Sequence, residues 1–212
     1  MTKAIILDFD GTLADTASVI IQTIKGTIKE LGLPSRTDEE CRSVIGLRLI
    51  ETPPVLFPEC NVDVDLYAST YRRLFNIFNT DGAVQLYPNV KETLAELKDR
   101  GMTLTIASSR SNRSLTEYIV NLGLSDTITY ILGADDVAEG KPNPEPVLKT
   151  LDELNLSADE VIVVGDTSFD IDMGRNAGTR TCGVTYGIGS TEGLSKADWL
   201  IGDFAEIMNI ID

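Results

Sequence analysis

Histidine is missing from the 212-residue chain, and that absence removes more chemistry than any other feature of its composition. Without an imidazole there is no Ser-His-Asp or Cys-His nucleophile, no His-ligated zinc and no phosphohistidine step. Cysteine is scarce. Cys41, Cys60 and Cys182 are odd in number and show no CxxC spacing, which argues against a disulfide scaffold and fits a reducing compartment. No apolar run approaches the ~18 residues of a membrane span. The opening MTKAIILDFDGT holds a four-residue apolar run that stops at an acid, too short for the apolar region of a signal peptide. Positive charge is short as well: 18 Lys and Arg stand against 33 Asp and Glu, a net −15. Such a surface repels nucleic-acid phosphates. The expectation is a cytoplasmic protein, monomer or weak dimer, without nucleic-acid or membrane partners. Its chemistry must run on carboxylates, hydroxyls, lysine and a hard metal.

What is present is a series of short aliphatic runs that end abruptly at polar or glycine-rich segments. They are residues 4–7, 104–107, 128–132, 161–164 and 182–186. Continuous β-rich runs without alternation predict strands buried on both faces of a parallel sheet. Helical stripes lie between them, over residues 88–101, 112–123 and 145–154. This rhythm predicts a doubly wound α/β sheet, a Rossmann-like core with right-handed crossovers. From residue 17 to 81 the rhythm breaks. A long amphipathic run ends at Gly32 and Pro34, Thr37 with Glu40 forms a capping box, and residues 64–78 carry a third helical stripe. About 65 residues of helix exceed any ordinary crossover. The reading is an inserted α-helical cap over residues 17–81, hinged near Asp15 and Gly82, on a core of residues 1–16 and 82–212.

Ligands of open parallel sheets bind beyond the carboxyl ends of the strands. The residues just after the apolar runs therefore converge: Asp8 and Asp10 with Gly11 and Thr12, then Ser108, Lys141, and Asp166 with Asp170. Carboxylates with one hydroxyl and one lysine suit Mg²⁺, which takes oxygen ligands and completes its shell with substrate phosphate and water.

These segments resemble, in order, the four motifs of the haloacid dehalogenase-like phosphatase superfamily: DFDGTLADT, IASSR, GKPNPEP and VGDTSFDIDMG. The helical insertion resembles the superfamily's C1 cap. The resemblance implies a Mg²⁺-dependent phosphatase of the phosphoglycolate phosphatase branch, acting on a small phosphorylated metabolite through an aspartyl-phosphate. In that scheme Asp8 is the nucleophile and Asp10 the general acid and base. Mg²⁺ is held by Asp8, the backbone carbonyl of Asp10 and Asp166, while Asp170 orients a ligand or a metal-bound water. Ser108 and Lys141 hold the phosphate oxygens, with backbone amides around Gly11 and Ser109 as further donors. In that scheme Mg²⁺ cancels a repulsion, because a carboxylate approaching a phosphate dianion at ~4 Å is opposed by roughly 8 kcal/mol at an effective dielectric of 20. That barrier corresponds to a rate factor of about a million.

Other readings stay open. Asp170 and Ser108 also suit helix caps, and Lys141 an exposed loop charge. Arg48, in IGLRLIE, suits a clamp on a substrate anion and a surface salt bridge equally. Tyr67, Tyr71, Phe75 and Phe78, at helical spacing, read as the core of a cap helix. GIGSTEG, residues 187–193, has the wrong spacing and place for a dinucleotide fingerprint. The functional alternatives are a β-phosphoglucomutase-like phosphotransferase and a non-catalytic, phosphate-responsive regulator.

Overall fold

Four aliphatics with no polar side chain to satisfy, Ala4–Leu7, form β1, a central strand of a six-stranded parallel sheet in the computed structural model, which describes residues 1–80 and 82–211. The other strands are β4 (Thr103–Ala107), β5 (Tyr130–Leu132), β6 (Val161–Gly165), β7 (Arg180–Val184) and β8 (Trp199–Ile201). Their order is β5-β4-β1-β6-β7-β8, so β1 lies at the point where the winding reverses. Alternate residues of β1 enter different cores. Ile5 and Leu7 pack in the larger one, with Leu94 and Leu97 of α5 (Val90–Asp99) and Leu115 and Ile119 of α6 (Asn112–Asn121). Ala4 and Ile6 pack with Val147 and Leu151 of α7 (Glu145–Leu154) and Met173 of α8 (Ser168–Asn176). Side chains that alternate across a strand thereby bind helices to both faces of the sheet.

Between β1 and α5 the chain contributes nothing to this sheet. It forms α1 (Ala17–Leu31), α2 (Asp38–Ser43), α3 (Thr52–Leu56) and α4 (Val64–Phe78). Thr37 and Glu40 make the expected capping box, each side chain taking the other residue's backbone N–H. α1 and α4 pack on each other and bury Ile20, Ile24, Ile28, Tyr67 and Phe75. The insertion leaves and re-enters the core through a short antiparallel ribbon, β2 (Ala14–Asp15) paired with β3 (Gln85–Leu86). Two expected boundary residues, Asp81 and Asp212, lie outside the described residues.

Several elements differ from expectation: β2 and β3 have no counterpart among the expected strands, and β5 starts two residues after the start of its apolar run. β7 begins two residues before the apolar run, because Thr181 is buried and takes part in the ladder although it is polar. α3 carries Pro53 and Pro54 directly after Thr52, in the first turn of a helix, where no partner exists for the missing N–H. β8 rests on only three residues, with Trp199 and Leu200 partly outside the core. Among the described residues no helix is long and apolar enough to cross a membrane.

Candidate functional site

Leu7 pairs with Ile106 on one side and Val164 on the other, so the chain leaves β1 flanked by the tips of β4 and β6. Asp8 follows Leu7, its N–H donating to Val164 O at 2.9 Å. Ser108 follows β4, and Asp166 follows β6. Parallel register alone thus brings together three residues from positions up to 158 apart in sequence.

The carboxylates of Asp8, Asp166 and Asp170 all lie within 4.8 Å of one another and are all buried. Lys141, only 5% exposed, reaches between two of them, with Nζ 2.5 Å from Asp8 Oδ1 and 2.5 Å from Asp170 Oδ1. It is therefore no surface loop charge. Asp170 serves two purposes: its Oδ2 accepts from Thr167 N (3.0 Å) and Thr167 Oγ1 (2.6 Å), capping α8, while Oδ1 binds Lys141. Asp166 accepts from Ile188 N (2.7 Å), Gly189 N (3.3 Å) and Thr12 Oγ1 (3.3 Å). The GIGSTEG segment thus supplies backbone amides to an acid. Glycine is required there: a Cβ at Gly11, Gly187 or Gly189 would collide with Asp166, and Gly11 also has φ +88°.

Three buried carboxylates against one ammonium leave an excess of negative charge. Its effect is visible in the protonation of Asp8 and Asp166. Burial, then the charges of Asp170, Asp166 and Asp10, push Asp8 well above the usual carboxylate range, despite Lys141 pulling it down. Burial and Asp170 raise Asp166 to about 7 against the pull of the Ile188 and Gly189 amides. Burial works against the charge on Lys141, but Asp170 and Asp8 outweigh it and hold the ammonium protonated. An all-oxygen set with surplus negative charge is the chemistry a hard divalent cation requires.

Asp10 lies apart from this cluster. Both of its oxygens are taken by Arg110, Oδ1 from Nη2 at 2.6 Å and Oδ2 from Nε at 3.1 Å. Burial opposes the charge on Arg110, yet Asp10 raises its proton affinity further still. The guanidinium packs against Phe75 and Tyr118, with ring centroids at 5.0 and 5.1 Å.

A cavity of about 650 Å³ opens between the strand tips and the helical insertion. Asp8, Asp10, Ser108, Ser109 and Arg110 line its sheet side; Ile20, Ile24, Arg48, Tyr71 and Phe75 line the other. Asp8 is the one member of the carboxylate cluster that reaches it, with Lys141, Asp166 and Asp170 behind. Ser108 Oγ accepts from Arg110 N at 3.3 Å, whereas the Ser109 hydroxyl donates to Gly46 O of the insertion at 2.6 Å. Arg48 donates to Glu51 Oε1 from Nε and Nη2, and to Ala138 O at 2.9 Å. It ties the insertion to the loop that leads to Lys141. Tyr71 and Phe75, expected as cap core, also face the cavity, because α4 turns one edge of its apolar stripe toward it.

Sequence reasoning missed Arg110 and the amides of residues 188 and 189. Arg110 stands two residues after Ser108, the spacing of Asp10 from Asp8, in a chain poor in positive charge; that was the available signal. Backbone amides carry none.

Residues 5–184 match the family model described as haloacid dehalogenase-like hydrolase. A phosphoglycolate phosphatase of Photorhabdus laumondii is 30% identical over 217 residues, covering 99% of this chain and 92% of that protein. A pyrophosphatase of Oceanobacillus iheyensis is 31% identical over 212 residues, 99% of this chain and 96% of that one. Among solved structures, a haloacid dehalogenase-like hydrolase of Bacteroides fragilis superposes with a TM-score of 0.91 at 26% identity, over 98% of this chain and 100% of its own.

Proposed function

The chain belongs to the haloacid dehalogenase-like hydrolases and is a phosphoric monoester hydrolase of that family, and we propose that it cleaves a small phosphorylated metabolite with Asp8 as nucleophile and Mg²⁺ as cofactor. The observation that carries this reading is the triad of buried carboxylates within 4.8 Å, of which Asp8 alone meets the cavity.

Each role follows from what the side chain touches. Lys141 fixes Asp8 through Oδ1, and among the described residues nothing donates to Oδ2. That oxygen is the one positioned to attack phosphorus, forming an acyl phosphate as the bond to the leaving oxygen breaks. Ser108, at the rim beside Asp8, holds a non-transferring phosphate oxygen. Asp10 supplies a proton to the leaving oxygen, then takes one from the water that hydrolyses the intermediate. Asp8, Asp166 and the backbone carbonyl of Asp10, with Asp170 behind, would hold Mg²⁺, which would supply the positive charge needed for two anions to meet. The hydrogen bonds from residues 12, 188 and 189 keep Asp166 in place for that ion. Helices α1–α4 serve as the cap, closing over the cavity to exclude bulk water and reopening to release product.

The test is hydrolysis of a phosphomonoester with and without Mg²⁺, by the native protein and by Asp8→Asn. Activity should require the metal and fall by ~10⁴-fold or more in the variant. Turnover that survives Asp8→Asn contradicts the mechanism.

A further inference from the structure

Arg110 is placed where the proposed reaction cannot leave it as it stands. Its side chain is 11% exposed, its fork is filled by both oxygens of Asp10, and aromatic rings wall it in. If Asp10 is to serve the leaving oxygen, its carboxylate must turn away from this bidentate pair. The guanidinium would then be left buried without a partner, which is costly in a desolvated site. Another anion must take the place of Asp10. We infer that Arg110 recognises a second anionic group of the substrate, a carboxylate or a second phosphoryl, and that Asp10 occupies its fork until that group arrives.

The placement bounds how far apart the two anions lie. Asp10 follows Asp8 by two residues and Arg110 follows Ser108 by two, on neighbouring parallel strands, and all four line one cavity. Both anion sites therefore lie within one cavity of about 650 Å³, which a compact substrate carrying both groups can span. A planar fork of donors fits a carboxylate or phosphoryl oxygen pair and discriminates against a neutral tail. The similar proteins named for phosphoglycolate and pyrophosphate act on molecules with two anionic groups that close. The inference rests on the phosphatase reading and adds to it a substrate class and an order of events: the second anion frees the acid–base group for work.

Binding to Asp8→Asn, which keeps the site without turnover, tests this by calorimetry. Three ligands are compared: 2-phosphoglycolate, pyrophosphate and ethyl phosphate, the last lacking the second charge. At least one of the first two should bind about a hundredfold tighter than ethyl phosphate; which one does identifies the second anion as carboxylate or phosphoryl. Adding Arg110→Gln should abolish that gap while leaving ethyl phosphate affinity within a few fold, and Arg110→Lys, which keeps the charge without the fork, should retain part of it. No gap in the parent, a gap unchanged by either substitution, or an equal loss for all three ligands in a folded variant overturns the inference. Turnover by the native protein with Mg²⁺ is read separately. Failure to hydrolyse any of the three compounds counts against the phosphatase reading, while the binding gap still decides the role of Arg110.

Discussion

The two sides of the cavity hold their ionisable groups in different ways. On the sheet side, Asp8, Asp166, Asp170 and Lys141 are buried; Lys141 binds Asp8 and Asp170, and the three carboxylates lie within 4.8 Å of one another. On the insertion side, Arg48 is paired with Glu51 three residues on and set among rings and aliphatics. A buried network has few ways to rearrange, so its geometry is fixed before substrate arrives, as charge stabilisation requires. A helical wall with apolar lining and local ion pairs can shift as a unit at little cost. Under the proposed function, chemistry belongs to the sheet side and selection to the insertion. Arg110 is the exception that joins them, a sheet-side residue held by Phe75 of α4.

The largest effect that would break this contrast comes from Lys141→Met. It leaves two buried carboxylates without their cation, and the metal-free protein should lose about 3–5 kcal/mol of stability, measured by urea unfolding. Saturating Mg²⁺ should restore part of that loss. A loss below 1 kcal/mol, the figure for an exposed pair, would place Lys141 with the surface charges.

A middle-sized effect follows from pH. Asp166 titrates near 3.8 when unexposed to the fold and near 7 within it, so between those values the folded state holds a proton that the unfolded chain has released. Stability contributed by this group is present at low pH and is lost as pH rises through about 7. The metal-free protein should therefore melt roughly 5 °C or more lower at pH 8 than at pH 5, with Asp8, raised in the same direction, adding to the trend. Mg²⁺, competing with those protons, should stabilise most at the higher pH. A flat profile, or a cation effect that is greatest at low pH, would contradict the buried excess charge.

The smallest effect is expected on the insertion side. Arg48→Ala removes one ion pair and the link to Ala138 O, together worth ~0.5–1 kcal/mol. Steady-state kinetics should show KM raised a few fold with kcat little changed. A loss in kcat as large as that from a sheet-side residue would erase the division between the two walls.

Much of this arrangement was legible in the sequence, for reasons that also explain the gaps. Helices α1 and α4 occupy the residues their amphipathic patterns give, since glycine and aspartate mark their ends. Strand-end position foretold that Asp8, Ser108 and Asp166 would lie together, because a parallel sheet gathers such residues whatever their spacing, whereas Lys141 comes from the long loop between β5 and α7. The two-residue strands β2 and β3 lie below any periodic signal. The partners of Asp166 are main-chain amides, which every residue but proline possesses, so no residue type announces them. The bond between Ser109 and Gly46 joins two elements whose relative placement periodicity cannot give.

The most direct measurement is acid quenching of the native protein during Mg²⁺-supported turnover, followed by mass spectrometry of its peptides. Covalent phosphoryl should be found on the peptide containing Asp8, at the carboxylate, and be absent from Asp8→Asn. Phosphoryl on any other residue, or efficient turnover with none trapped on Asp8 at any quench time, would contradict the claim that this aspartate is the nucleophile.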